Sequence, residues 1–163
     1  MAATLFASLA LLAGAPALAF ETKRTDALSR ASSAEVAKML LAKKHEAHLA
    51  VDSSGDPMLR VDAPVFPYQV LFYGCREGTC ETLQFLATWE TPGVLTESDV
   101  NALNRDIRDG RVHLDADGNP TLDLVVHLAG GISEDNLSYV HERFLSAGRR
   151  LARRIDAGSA ARP

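Results

Sequence analysis

The sequence predicts an α+β domain built on one antiparallel β-sheet, with the element order α-β-β-β-β-α-β-β-α. Three segments place apolar side chains at helical spacing, and the segments between them alternate apolar and polar side chains. The alternating segments come in adjacent pairs joined by short turns, which favours hairpins over parallel crossover units. The chain has 163 residues, 47% of them hydrophobic and 23% charged. These values are typical of one globular domain and exclude a wholly disordered chain.

The N-terminal segment has the composition of an export signal. Residues 1–20 carry no charged side chain, and an apolar stretch from Leu5 to Ala15 is followed by the small-x-small site Ala17-Leu18-Ala19. This pattern predicts a secretory signal peptide over residues 1–19, cleaved after Ala19. The alternative is an uncleaved membrane anchor, although the stretch is short for a membrane-spanning helix. We therefore expect a periplasmic or secreted protein whose residues 20–31 form a flexible lead.

Capping residues mark the start of each predicted helix. Ser32, Thr96 and Ser133 each precede an apolar stripe at helical spacing, and acidic residues follow within the first turn. The first two helices are short. The third is predicted to end at about residue 155, which leaves residues 156–163 as a disordered tail.

The two outer hairpins have the same turn sequence. Residues 46–62 and 111–128 each contain the pattern D-x-x-G-[DN]-P, with the glycine at Gly55 and at Gly118. An odd-length loop with a glycine at positive φ keeps the apolar side chains of both strands on one face. The repeat therefore indicates a turn used twice.

The central hairpin has the clearest pattern in the chain. A pairing of Cys75 with Cys80 sets a register in which every apolar side chain meets another. The predicted pairs are Phe72 with Leu83, Val70 with Phe85, Tyr68 with Ala87 and Phe66 with Trp89.

Cys75 and Cys80 are the two cysteines of the chain and close a four-residue loop at the hairpin tip. In an exported protein, such a pair indicates a structural disulfide. The small loop limits its stabilisation to roughly 2 kcal/mol. The alternative is a redox-active dithiol, but that chemistry usually places C-x-x-C at a helix N-terminus.

The sequence predicts no catalytic, cofactor-binding or metal-binding residue. It contains neither the G-x-S-x-G motif nor a P-loop. The acidic turn that begins at Asp115 lacks the glycine and glutamate positions of an EF-hand. No two histidines have the i, i+4 spacing of a helical zinc site, and His127 is expected on the solvated sheet face with Asp123. The five histidines are His45, His48, His113, His127 and His141.

The C-terminal segment is basic although the chain is acidic. Residues 143–163 carry six arginines against Asp156, a net charge of +5, so the −4 of the whole chain leaves −9 elsewhere. Cations near a helix C-terminus complement its dipole, which explains part of the cluster. The other interpretation is a contact surface for an acidic protein or an anionic membrane. The clustered side chains are Arg149, Arg150, Arg153 and Arg154.

Several segments together resemble the YbjN domain family of bacteria and cover roughly residues 32–155. They are Ser32–Leu40, Ser54–Pro57, Val70–Cys75 with Cys80 and Leu83–Phe85, Leu103–Val112 and Leu128–Ser133. The exported two-cysteine form is similar to one subgroup. The resemblance implies a fold similar to type III secretion chaperones, often dimeric, without an established catalytic residue. Family members are described as sensory-transduction regulators.

We therefore expect a non-enzymatic periplasmic or secreted module that binds another protein, in the manner of a chaperone or regulator. A homodimer is compatible with this hypothesis, and neither a nucleic acid nor a cofactor is expected. Two alternatives remain: a thiol-redox enzyme that uses Cys75 and Cys80, and an envelope protein that docks its basic C-terminal helix on anionic lipid.

Overall fold

Three helices and six strands follow one another in the predicted order within residues 27–160. The structure is a computed structural model that describes residues 27–160, so the predicted signal peptide lies outside the described residues. Within that part, no helix is both long and apolar enough to cross a membrane. The elements are α1 Ser33–Ala42, β1 Glu46–Val51, β2 Pro57–Asp62, β3 Tyr68–Tyr73, β4 Thr82–Thr88, α2 Glu97–Asp106, β5 Arg111–Leu114, β6 Pro120–His127 and α3 Glu134–Ala160.

The sheet is antiparallel throughout, with the strand order β1-β2-β3-β4-β6-β5. Its central register is the predicted one, since Phe72 lies opposite Leu83 and Val70 opposite Phe85. The strand face that carries these side chains is covered by the helices. α1 packs against β1 and β2, α3 against β4 and β6, and α2 against β5.

Both outer hairpin turns have the predicted conformation. Gly55 and Gly118 have φ angles of 86° and 81°, values that favour glycine. Asp52 Oδ1 accepts hydrogen bonds from the backbone N–H groups of Ser54 at 2.8 Å and Asp56 at 3.0 Å. Asp115 Oδ1 accepts the equivalent pair in the second turn, at 2.9 and 2.8 Å. The repeated aspartate therefore caps its own turn.

The predicted flexible lead, residues 20–31, is held by backbone hydrogen bonds at its C-terminal end. Leu28 N–H donates to Ile132 O at 2.7 Å, and Cys80 N–H donates to Ala31 O at 2.9 Å. Ala31 is only 1% exposed. Each of these bridges involves a single residue, so no alternation of apolar and polar side chains predicts it from the sequence.

The third helix is longer than predicted. It continues through residues 156–160, which were expected to belong to a disordered tail. Its last turn rests on the loop before α2, where a Cβ on Gly158 would come within 2.9 Å of Val94 O. The glycine therefore allows a close contact here and does not end the helix.

Candidate functional site

The candidate site is the polar side of α3. The opposite side of this helix is buried, with Phe144 and Leu151 fully covered and Ile155 5% exposed. An amphipathic helix of this kind presents its remaining side chains to solvent. The four predicted arginines lie there, and the structure divides them into three environments.

Arg154 is engaged within the protein. Its guanidinium contacts the Asp99 carboxylate at the start of α2. Asp99 is also held by Thr96, whose backbone N–H donates at 3.0 Å and whose hydroxyl donates at 2.7 Å. Hydrogen bonds from Thr96, followed by that from Arg154, lower the pKa of Asp99 to about 2. Arg154 therefore links α3 to α2 and already has a carboxylate partner within the protein.

Arg149 and Arg153 are both exposed on the polar side of α3. They lie one helical turn apart on the same face of α3. Neither has a carboxylate partner among residues 27–160. We call this pair the basic ridge. The fourth arginine, Arg150, is not part of the ridge. It lines a cavity between α2 and α3.

The cysteine pair forms a disulfide at the tip of the β3–β4 connection. The Sγ atoms of Cys75 and Cys80 are 2.14 Å apart. Cys80 is fully buried, and its backbone pairs with Ala31 on both sides, at 3.0 and 2.9 Å. An attacking thiolate needs access to a sulfur atom. Burial and backbone pairing leave only Cys75 partly accessible, as in a structural crosslink.

Two histidines lie in the core at the junction of α1, β1 and α3. His141 is fully buried, and its Nε2 is 2.7 Å from the Tyr68 hydroxyl. The ring of His45 meets that of His141 edge-on, with centroids 5.2 Å apart. The Nδ1 atoms of both rings have no hydrogen-bond partner in the described chain.

Burial disfavours a charge on these rings. It lowers the pKa of His141 to about 4, with smaller electrostatic contributions from the neighbouring His45 and Lys43. Burial likewise lowers the pKa of His45. The position of His141 between Leu137 and Phe144 on the apolar stripe is the sequence signal for its burial. Among residues 27–160, no three His, Cys, Asp or Glu side chains are arranged to hold a metal ion.

The outer face of the sheet contains one polar cluster. Asp123 was expected on a solvated face but is 5% exposed. The Nε and Nη2 groups of Arg111 donate to its two oxygens at 3.1 and 3.0 Å, and Gln84 Nε2 donates at 3.0 Å. These long neighbours cover the carboxylate. His127 is exposed as predicted, and its Nδ1 lies 3.2 Å from the Thr82 hydroxyl oxygen.

Comparisons with known proteins concern the whole described domain. A family model described as "YbjN: Putative bacterial sensory transduction regulator" matches residues 32–157. No curated protein matches the chain. An uncharacterized protein from Methanothermobacter thermautotrophicus, known from a crystal structure, is similar with a TM-score of 0.53. That match covers 78% of this chain and 98% of the other, at 10% sequence identity, so it concerns the fold alone.

Proposed function

This chain belongs to the YbjN family, and on that premise we propose that it is a non-enzymatic regulatory module, protein-binding or chaperone-like, that acts in the periplasm or outside the cell. We propose that it binds an acidic segment of a partner protein through the basic ridge. One observation carries the proposal: Arg149 and Arg153 are exposed side by side and have no carboxylate partner among residues 27–160, whereas Arg154, on the same helix, has one.

The chemistry of the ridge fits a protein surface rich in carboxylates. A guanidinium group donates in a planar fork that matches a carboxylate, and Arg is enriched in protein interfaces. Two such groups one turn apart present donors to an extended acidic segment. The body of the protein is acidic, so the ridge also gives the partner a defined orientation.

The ridge fits a protein better than a lipid surface. A helix that lies in a membrane interface inserts its apolar face between the headgroups. The apolar face of α3 is already covered by the sheet, because Phe144 and Leu151 are fully buried. Docking on lipid would therefore depend on a few arginines alone, which is a weak anchor.

The proposed compartment rests on two features. The first is the uncharged, apolar N-terminal segment with its small-x-small site. The second is the Cys75–Cys80 disulfide, since such bonds persist in oxidising compartments. The burial of Cys80 supports a structural role for this bond in preference to a thiol-redox enzyme.

Intact mass spectrometry of the exported protein tests the compartment. Protein from the periplasmic or secreted fraction of the producing bacterium is expected to match residues 20–163, with both cysteines oxidised. An alkylating reagent should label the protein only after reduction, since a disulfide has no free thiolate. A mass that includes residues 1–19 would contradict cleavage, and labelling before reduction would contradict the disulfide.

Photo-crosslinking in the producing bacterium tests the binding surface. A photoreactive amino acid at Ala157, exposed one turn beyond Arg153, is expected to form a discrete adduct with another protein. The control position is Val125, which is 47% exposed on the outer face of the sheet. Adducts of equal yield at both positions, no adduct at Ala157, or an adduct of two copies of this chain would each contradict the proposal.

A further inference from the structure

We propose that the cavity between α2 and α3 is an anion-binding site for a phosphoryl dianion, either inorganic phosphate or a small phosphate monoester. The cavity has a volume of about 390 Å³, which lies within the range of small-molecule sites. It is lined by the end of α2, the connection to β5 and the middle of α3. The cavity is distinct from the basic ridge, because neither Arg149 nor Arg153 lines it.

Four of the nine residues that line this cavity are arginines. Arg105 and Arg108 approach from the side of α2, and Arg143 and Arg150 from α3. Asp106 and Asp109 also line the cavity, so its formal charge is +2. A dianion balances that charge, whereas a monocarboxylate would leave the site positive.

Only one of the four guanidinium groups is neutralised within the described chain. Arg143 Nε donates to Asp109 Oδ2 at 2.8 Å. Arg105, Arg108 and Arg150 have no carboxylate partner among residues 27–160. All three line the same cavity. Several guanidinium groups around one space are the arrangement that recognises phosphate.

The pattern along α3 singles out Arg150. Arg143, Arg150 and Arg154 recur at helical spacing on one stripe that faces α2. Arg154 meets Asp99 at the start of α2, and Arg143 meets Asp109 just beyond its end. Arg150 lies between these two ion pairs along α3, lines the cavity and has no carboxylate partner among residues 27–160. A bound anion would complete the series.

Two features of the cavity oppose an anion and set a limit on its affinity. The C-terminal end of α2 carries a partial negative charge, and Arg105 in its last turn offsets part of that charge. The Asp106 carboxylate is exposed at the rim. Both are outweighed by the three guanidinium groups that have no carboxylate partner in the described part of the chain, since each would make charge-assisted bonds with a bound phosphate.

NMR titration of the folded protein with inorganic phosphate, glycerol phosphate and sodium acetate, at matched ionic strength, tests the proposal. The two phosphates are expected to give saturable shifts in residues around Arg105 and Ala147, and acetate none. The affinity ratio of the two phosphates distinguishes free phosphate from a monoester as the ligand. In Arg105→Gln/Arg108→Gln the dissociation constant should rise at least about tenfold, because charge-assisted bonds are lost.

The matched control is Arg149→Gln/Arg153→Gln, which removes the same charge from the ridge. Its dissociation constant should stay within about twofold of the wild-type value, because long-range attraction is screened by salt. Both pairs of side chains are exposed, so the variants are expected to fold, which circular dichroism verifies. Non-saturable shifts, or equal weakening by the two double variants, would overturn the proposal. Because the two surfaces use different arginines, failure here leaves the crosslinking result at Ala157 untouched.

Discussion

Lowering the pH from 7 to 4 is expected to reduce the free energy of unfolding by about 3 kcal/mol through His141 alone. The pKa of this residue is about 4 in the folded protein, against an ordinary value of 6.5. Between these two pH values, the unfolded chain binds a proton that the buried ring does not. The stabilisation is therefore fully present above about pH 6.5 and is lost progressively as the pH falls to about 4.

The groups around His141 explain why it stays neutral. Tyr68 on β3 holds Nε2, and His45 lies against the ring from the end of α1. Lys43 adds a positive charge, whereas Glu142 on α3 opposes it and is itself paired with Lys43 at 2.7 Å. Protonation would place a charge in this apolar pocket, where Nδ1 has no hydrogen-bond partner among residues 27–160.

Urea denaturation at several pH values measures this effect. His141→Gln keeps a polar group near Tyr68 and should flatten the stability profile between pH 4 and 7, whatever its effect at pH 7. The control His127→Gln changes an exposed histidine and should leave the profile unchanged. An unaltered profile in His141→Gln would contradict the assignment.

Replacing Gly148 by alanine is expected to destabilise the protein by about 2 kcal/mol, although alanine favours helix by about 1 kcal/mol. A Cβ on Gly148 would lie 2.1 Å from Cζ of Phe66. The Phe66 ring has no room to retreat, since it packs against Trp89 and Phe144 at centroid distances of 5.1 and 5.9 Å. Gly148 thus lets α3 lie close to the core.

A double-mutant cycle with Phe66→Leu separates this clash from a general helix effect. Leucine shortens the side chain, so Gly148→Ala should cost less in the Phe66→Leu background than in the wild-type protein. Thermal or urea denaturation gives the four stabilities. If Gly148→Ala alone raised the stability, the close approach of α3 would be disproved.

The helices, turns and strands could be predicted from the sequence because the interactions that form them are local. The three N-caps, the two D-x-x-G turns and the alternation around Phe72 and Leu83 each act within a few residues. The spacing of Cys75 and Cys80 then selected one register of the central hairpin, because a one-residue slip would expose every core side chain.

Features that depend on distant neighbours were missed. Asp123 is buried because Arg111 and Gln84 reach over it from adjacent strands. In the sequence the arginines form one basic patch. In the structure Arg154 forms an ion pair with Asp99, and Arg150 lines the cavity. Only the ion pair with Asp99 and the lining of the cavity distinguish these side chains, and no spacing along the chain records either.

Charge reversal on α3 tests whether the basic ridge binds a partner protein. Crosslinking from Ala157 is compared between Arg149→Glu/Arg153→Glu and Arg105→Glu/Arg108→Glu, which change the charge equally at the ridge and at the cavity. The ridge variant is expected to reduce the adduct yield at least about tenfold, since like charges across an interface repel, and the cavity variant to preserve it. An undiminished yield in the ridge variant, or equal reductions in both, would contradict the claim.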